Sequence, residues 1–309
     1  MIHIQALTKR YGAKTAVDDV TFAVRPGLVT GFLGPNGAGK STTMRMIVGL
    51  DRPTHGSVTV NGKRYSEHRA PLHEVGALLD AKAIHTGRSA YNHLLAMGAT
   101  HGIGKARVNE VIGLTGLESV AGKRVGGFSL GMGQRLGIAA ALIGDPATLI
   151  LDEPVNGLDP EGVMWVRRLA RSLAAEGRTV FLSSHLMNEM ALTADHLIVL
   201  GRGRVIADAA VADILSASRR TAVRLRSPRA EQLAQLLQGP QISITTTEQN
   251  VLTVTGLSAE TISGAAAAAG IPLHELTTVG ASLEEAYMDL THDDVEYHAG
   301  ITKSEGTLR

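Results

Sequence analysis

Apolar residues along the chain follow two rhythms, and the change between them marks out strands and helices. Ile2-His3-Ile4 and Val20-Thr21-Phe22-Ala23-Val24 alternate at period two, which predicts two or three strands within residues 1–33. The apolar run 28–33 follows an Arg25-Pro26-Gly27 turn and reads as a strand. A helix is expected from the glycine-rich stretch after it through Leu50, then a turn at 51–56 and a strand at 57–62 that enters a hairpin. From about 83 to 145 apolar positions recur every three or four residues, around Leu94, Leu95, Val108, Val111 and Ile112, predicting a mostly helical segment. Residues 148–151 and 179–182 are short apolar runs of the kind buried inside a parallel sheet, and 162–176 between them suits a crossover helix.

Composition changes near 216–221, and a second rhythm begins. Strand 222–226, helix 229–237, strands 242–246 and 251–254, helix 259–269 and a strand near 273–276 give the order β-α-β-β-α-β, a small two-layer α+β unit. A last helix at 282–290 precedes a polar tail, 291–309, expected to be disordered.

A length of 309 residues accommodates about two domains with a substantial core. Lys and Arg total 30 against 29 Asp and Glu, so no field of one sign attracts nucleic acid. With 4 Phe, 5 Tyr and 1 Trp there is little for single strands to stack on. Cysteine is absent, which excludes disulfides and thiolate metal sites and fits a reducing compartment. The amino terminus lacks the basic patch and apolar core of a secretory signal. No apolar run approaches the ~18 residues a membrane helix needs; 136–144 is too short and ends at Asp145-Pro146. The expectation is a soluble chain, with any membrane crossing left to another polypeptide.

The strongest chemical signal is Gly34-Pro35-Asn36-Gly37-Ala38-Gly39-Lys40-Ser41-Thr42, between the strand 28–33 and the helix that follows. A glycine-rich loop in that setting aims backbone N–H groups and a helix dipole at an anion; Lys40 adds a full charge. Gly34, Gly37 and Gly39 let the backbone bend around phosphate, and Ser41 offers a hydroxyl to a bridging Mg²⁺. Asp152 and Glu153 end the apolar run 149–151. Asp152 suits Mg²⁺, directly or through water, and Glu153 suits a general base for the water attacking a γ-phosphate; a strand followed by an acidic turn is the plain alternative. Within Phe128-Ser129-Leu130-Gly131-Met132-Gly133-Gln134-Arg135, Ser129 is placed to cap the helical run 136–143, and that helix start can also meet an anion. Taken singly, Asn156-Gly157-Leu158-Asp159-Pro160 is a turn, His185 the close of a strand, and Tyr11 a partly buried aromatic.

In this order and spacing, the segments resemble the nucleotide-binding subunit of ATP-binding cassette (ABC) transporters over residues 1 to about 220. Ala16-Val17-Asp18-Asp19-Val20 and Ser282-Leu283-Glu284-Glu285-Ala286 narrow the likeness to bacterial drug- and antibiotic-resistance exporters whose ATPase and membrane spans are separate chains. The resemblance implies an α/β P-loop cassette at 1–218, with a mixed or parallel sheet core, an N-terminal antiparallel β subdomain and a helical subdomain inserted at about 83–145. Residues 221–290 resemble the accessory α+β extension that some of these ATPases bear.

It also implies a mechanism. Two copies pack head to tail, and each ATP, with Mg²⁺, is held by residues 34–42 of one copy and by Ser129 and Gly131 of the other. Tyr11 stacks on adenine with Val17 alongside, Glu153 is the general base, His185 contacts the γ-phosphate, and Asp159 links the sites across the dimer. The partner is a separate integral membrane permease chain, so the ATPase lies at the cytoplasmic face of the membrane and powers export of a hydrophobic small molecule. The alternatives are an ABC protein acting on ribosomes or DNA, a regulatory module that no longer hydrolyses, and import rather than export, which differs only in the partner. Three positions depart from the family pattern: Leu130 stands where glycine is usual, Gly133 where lysine is common, and Asp80 where a glutamine normally follows the strand at 75–79. Asp80 thereby joins Ser41 and Asp152 as a candidate metal ligand.

Overall fold

Strands β1 (Ile2–Tyr11) and β2 (Lys14–Val24) pair antiparallel, with Ile2 opposite Val24 and Ile4 opposite Phe22. The computed structural model describes residues 1–80, 84–217, 222–279 and 283–291. Contacts divide the chain into two units, one built on Met1–Ala210 and one on Val211–Asp289. In β1 the register slips between Ile4 and Leu7, where Ala6 takes a φ of 48°. A bulge of this kind shifts the alternation, so that both Leu7 and Thr8 are buried.

Strand β3 (Val29–Leu33) leads into helix α1 (Lys40–Ile47), after which β4 (His55–Val60) returns beside β1. The hairpin expected after 57–62 does not form. Val60 and Lys63 make a lone bridge around Asn61-Gly62, and the chain enters a 3₁₀ turn at Tyr65–Glu67. Strand β4 pairs instead with β1, Val58 opposite Ile4 and Val60 opposite Ile2, because that register puts both valines in the core. The first sheet therefore has the order β2-β1-β4.

Next come α2 (Pro71–Glu74), β5 (Val75–Leu78), and the helices α3 (Ala90–Ala99), α4 (Lys105–Leu114) and α5 (Leu130–Leu142). The three helices lie inside the segment expected to be helical, whose start near 83 is outside the described residues. Then follow β6 (Thr148–Leu151), α6 (Pro160–Ala175), β7 (Thr179–Ser183), α7 (Met187–Thr193), β8 (His196–Gly201) and β9 (Arg204–Ala210). Six strands form one sheet in the order β5-β6-β7-β3-β8-β9, parallel except for the final antiparallel pair. The β8–β9 hairpin is absent from the sequence reading. Its signal was Gly201-Arg202-Gly203: Arg202 and Gly203 both have positive φ, 46° and 80°, as a two-residue hairpin turn requires.

Phe22, Phe32 and Phe181, three of the four phenylalanines, meet in the core with ring centroids 5.0 to 5.9 Å apart. Helix α5 packs onto β5 so closely that a Cβ on Gly76 would overlap the Ala141 carbonyl and approach Pro146 Cγ to 2.9 Å. Gly76→Ala is therefore expected to cost at least about 1–3 kcal/mol of stability, since the obstacle is backbone. Urea unfolding reads this, and an unchanged midpoint would contradict it.

The second unit contains α8 (Val211–Ala217), β10 (Ala222–Arg226), α9 (Ala230–Leu236), β11 (Ser243–Glu248), β12 (Val251–Thr255), α10 (Ala259–Ala268), β13 (Glu275–Val279) and α11 (Leu283–Thr291). Its sheet is antiparallel in the order β11-β12-β10-β13, the β-α-β-β-α-β arrangement expected. Val223, Leu225, Leu233, Val254 and Ile262 form its core. Residues 218–221, Ser282 and the tail 292–309, on which parts of the sequence reading fall, lie outside the described residues.

Candidate functional site

The carboxyl ends of the parallel strands deliver every strong sequence signal to one edge of the sheet. Strand β3 ends at Leu33 ahead of the glycine-rich loop, β6 ahead of Asp152 and Glu153, and β7 ahead of His185. Ligands of open α/β sheets bind at this edge because the connecting loops converge there. Two glycines in the loop have no alternative: a Cβ on Gly34 would lie 2.6 Å from the Leu200 carbonyl oxygen, and one on Gly39 2.5 Å from that of Ala16. Gly39 also has a φ of 104°. It starts α1 with no side-chain cap and no acid in the first turn, so the positive end of the helix faces the loop unneutralised.

A cleft of about 450 Å³ runs along this loop, lined by residues 35–42 with Tyr11, Lys14, Ala16, Asp152 and Glu153. Lys40 is 7% exposed, and its Nζ donates to the carbonyls of Gly34 at 2.6 Å and Pro35 at 3.3 Å. Burial lowers its ammonium pKa from 10.5, while Glu153 and Asp152 pull it back up. Tyr11 stands half exposed at the rim. Its hydroxyl donates to Asp51 Oδ2 at 3.0 Å, Arg45 Nε meets the same oxygen at 2.7 Å, and Lys9 Nζ lies 4.9 Å from the ring centre. The hydrogen bond from Arg45 holds the Asp51 carboxyl below its usual range. Val17 does not line the cleft: it is fully buried in the core, and Ala16 and Lys14 occupy the wall where it was expected. Strand alternation explains this, since neighbours in β2 point to opposite faces.

Glu153 is held on all sides. Its φ is 49°, in the left-handed region; its N–H donates to Ser183 Oγ at 2.9 Å, and its carbonyl accepts from Gln134 Nε2 at 2.9 Å. The carboxylate accepts through Oε2 from His185 Nδ1 at 2.7 Å and from the His185 backbone N–H at 3.3 Å. Asp152 Oδ1 accepts from Ser183 Oγ at 2.5 Å. A second groove, of about 670 Å³, is lined by Ser41, Asp80 and Asp152 together with Arg45 and His93, so the three candidate metal ligands border one space.

Among the described residues no three His, Cys, Asp or Glu side chains are grouped to cage a metal. A hydroxyl and one or two carboxylates nonetheless fit Mg²⁺, which keeps several waters and takes phosphate oxygens as ligands. The donor set suits a phosphate-bridging ion.

Ser129, Gly131 and Asp159 are not part of the cleft. Ser129 and Asp159 are exposed, and each caps a helix: Ser129 Oγ accepts from the Met132 N–H at 3.2 Å, and Asp159 Oδ1 from that of Gly162 at 2.9 Å. Their loops touch, for a Cβ on Gly131 would lie 3.1 Å from the Gly157 oxygen, and Leu130 packs over Gly157. The sequence reading missed Gln134 as an individual and Ser183 altogether. Gln134 lies within the noted segment 128–135, whereas a serine closing an apolar strand carries no signal of its own.

Comparison with known proteins places this arrangement. A family described as ABC transporter matches residues 17–156, and one described as a domain of unknown function matches 221–284. The bacitracin transport ATP-binding protein BcrA of Bacillus licheniformis is 42% identical over 203 residues, 65% of this chain and 66% of that protein. The lantibiotic transport ATP-binding protein SrtF of Streptococcus pyogenes is 37% identical over 206 residues, 67% of this chain and 89% of that one. A solved ATP-binding subunit of an ABC transporter superposes with a TM-score of 0.65 at 27% identity, covering 70% of this chain and 92% of its own. By sequence and by fold, the chain belongs to the ABC transporter ATP-binding family.

Proposed function

We propose that this chain is the ATPase of an exporter, hydrolysing ATP between two copies to drive a hydrophobic, antibiotic-like small molecule through a separate membrane protein. The observation that carries the reading is the 42% identity over 203 residues to a bacitracin transport ATP-binding protein. Among the described residues no helix is long and apolar enough to cross a membrane. In this reading the crossing is made by a partner, at whose cytoplasmic face this chain docks.

At the site, the loop 34–42 and Lys40 bind the triphosphate, and Tyr11 stacks on the base. Ser41 and Asp152, with Asp80 at the edge of the groove, hold Mg²⁺. The ion, when bound, neutralises charge on the β- and γ-phosphates. Glu153 takes the proton of the attacking water through Oε1, because Oε2 is already occupied by His185. His185, tied to Glu153 through Nδ1, keeps Nε2 for the γ-phosphate. Ser129 and Asp159, exposed and outside their own copy's cleft, are available to the nucleotide of a second copy packed head to tail. ATP favours the closed pair over the open one, and hydrolysis removes that preference.

Loss of the chain from its host is expected to increase sensitivity to peptide antibiotics, with rescue by the native chain but not by Glu153→Gln. Unchanged sensitivity, together with failure of any integral membrane protein to co-purify, would reject the export reading.

A further inference from the structure

We propose that Ser183, at the end of β7, is a positioning residue for both carboxylates of the site. Its hydroxyl donates to Asp152 Oδ1 at 2.5 Å and accepts the Glu153 N–H at 2.9 Å, while the residue is completely buried. The inference rests on the roles given above to Asp152 and Glu153.

The direction of this chain is forced. A backbone N–H can only donate, so the Ser183 oxygen receives Glu153 and its single proton goes to Asp152. One carboxylate oxygen of Asp152 is thereby engaged, which orients the other. Glu153 needs support of a different kind, because a non-glycine residue at a φ of 49° relaxes toward ordinary backbone angles unless its surroundings hold it. Ser183 grips its N–H and Gln134 its carbonyl, so the residue is held at both of its backbone polar groups and the side chain is directed to His185. Alanine at 183 would remove the donor to Asp152 and the acceptor for Glu153 in one step, leaving the strand otherwise intact.

The test compares the native chain, Ser183→Ala and Ser183→Thr, all full length. Phosphate release should show kcat falling about 10- to 100-fold in Ser183→Ala, the range for hydrogen bonds to charged groups, with KM for ATP within about threefold of native. Calorimetry provides the second readout. ATP in EDTA should bind both proteins alike, and the gain in affinity on adding Mg²⁺ should shrink about tenfold in Ser183→Ala. Ser183→Thr, which keeps the hydroxyl, should restore both. Native kcat and a full Mg²⁺ gain in folded Ser183→Ala would overturn the proposal, as would equal loss of ATP affinity with and without Mg²⁺, the mark of a merely structural serine. If the native chain releases no phosphate, the ATPase reading fails, yet the Mg²⁺ gain still decides for or against Ser183.

Discussion

Glu153→Gln is expected to bind ATP normally and to release phosphate about 10²- to 10⁴-fold more slowly than the native chain, the usual contribution of a positioned general base. The amide has the shape of the carboxylate, and its oxygen can still accept from His185 Nδ1, now at 2.7 Å from Glu153 Oε2. What disappears is the basicity. The left-handed backbone at 153 is held through main-chain atoms by Ser183 and Gln134, so the substitution leaves the turn in place. With hydrolysis blocked, the closed pair should accumulate, and size-exclusion chromatography in ATP should show two copies where the free protein shows fewer. Phosphate release at a near-native rate would remove Glu153 from its assigned role. ATP-loaded single subunits would instead reject the shared site built from Ser129 and Asp159.

Lys40→Ala should weaken ATP binding about 10- to 150-fold, equivalent to the ~1.5–3 kcal/mol of hydrogen bonds made by a charged donor. The loop glycines and the open start of α1 remain, so binding is reduced rather than abolished. The pH dependence distinguishes this lysine from an ordinary one. Burial lowers its pKa from 10.5, so the free protein carries a cost for keeping the ammonium. That cost is fully present below the lowered value and fades as pH rises through it toward 10.5, because in that window the unfolded chain binds the proton more readily. Nucleotide affinity should move the opposite way, falling over the same window as the charge that meets phosphate is lost. Calorimetry at stepped pH reads both proteins; equal affinities for native and Lys40→Ala at neutral pH would contradict the assignment.

The sites differ in how openly the sequence displays them. The loop 34–42 is contiguous and its chemistry is local, since glycine spacing, lysine and hydroxyl all lie within one strand-to-helix turn. The β-α-β-β-α-β order of the second unit was legible for a similar reason: each element carries its own period. Pairing is another matter. The strand at 57–62 looked ready for a hairpin because it ends in Asn61-Gly62, but turn chemistry reports only that the chain bends, and β1 was the better partner. Val17 shows the same limit at the scale of one residue. A likeness placed it near the base, and the pleat of β2 turned it into the core while Ala16 faced the cleft.

The residues alone marked out a phosphate loop, two acidic positions, a second helix start able to meet an anion and a small α+β unit after them, and it was their order that resembled an ABC cassette. Such features depend on short-range periodicity and on residue chemistry that acts within a few positions. Only the tertiary structure decided which side chains share a cleft, why Glu153 is clasped through both its peptide groups, and that Ser183 reaches Asp152 from 31 positions away. Contacts of that separation come from the parallel stacking of β6 on β7, where long-range burial sets the neighbours and no local pattern records them.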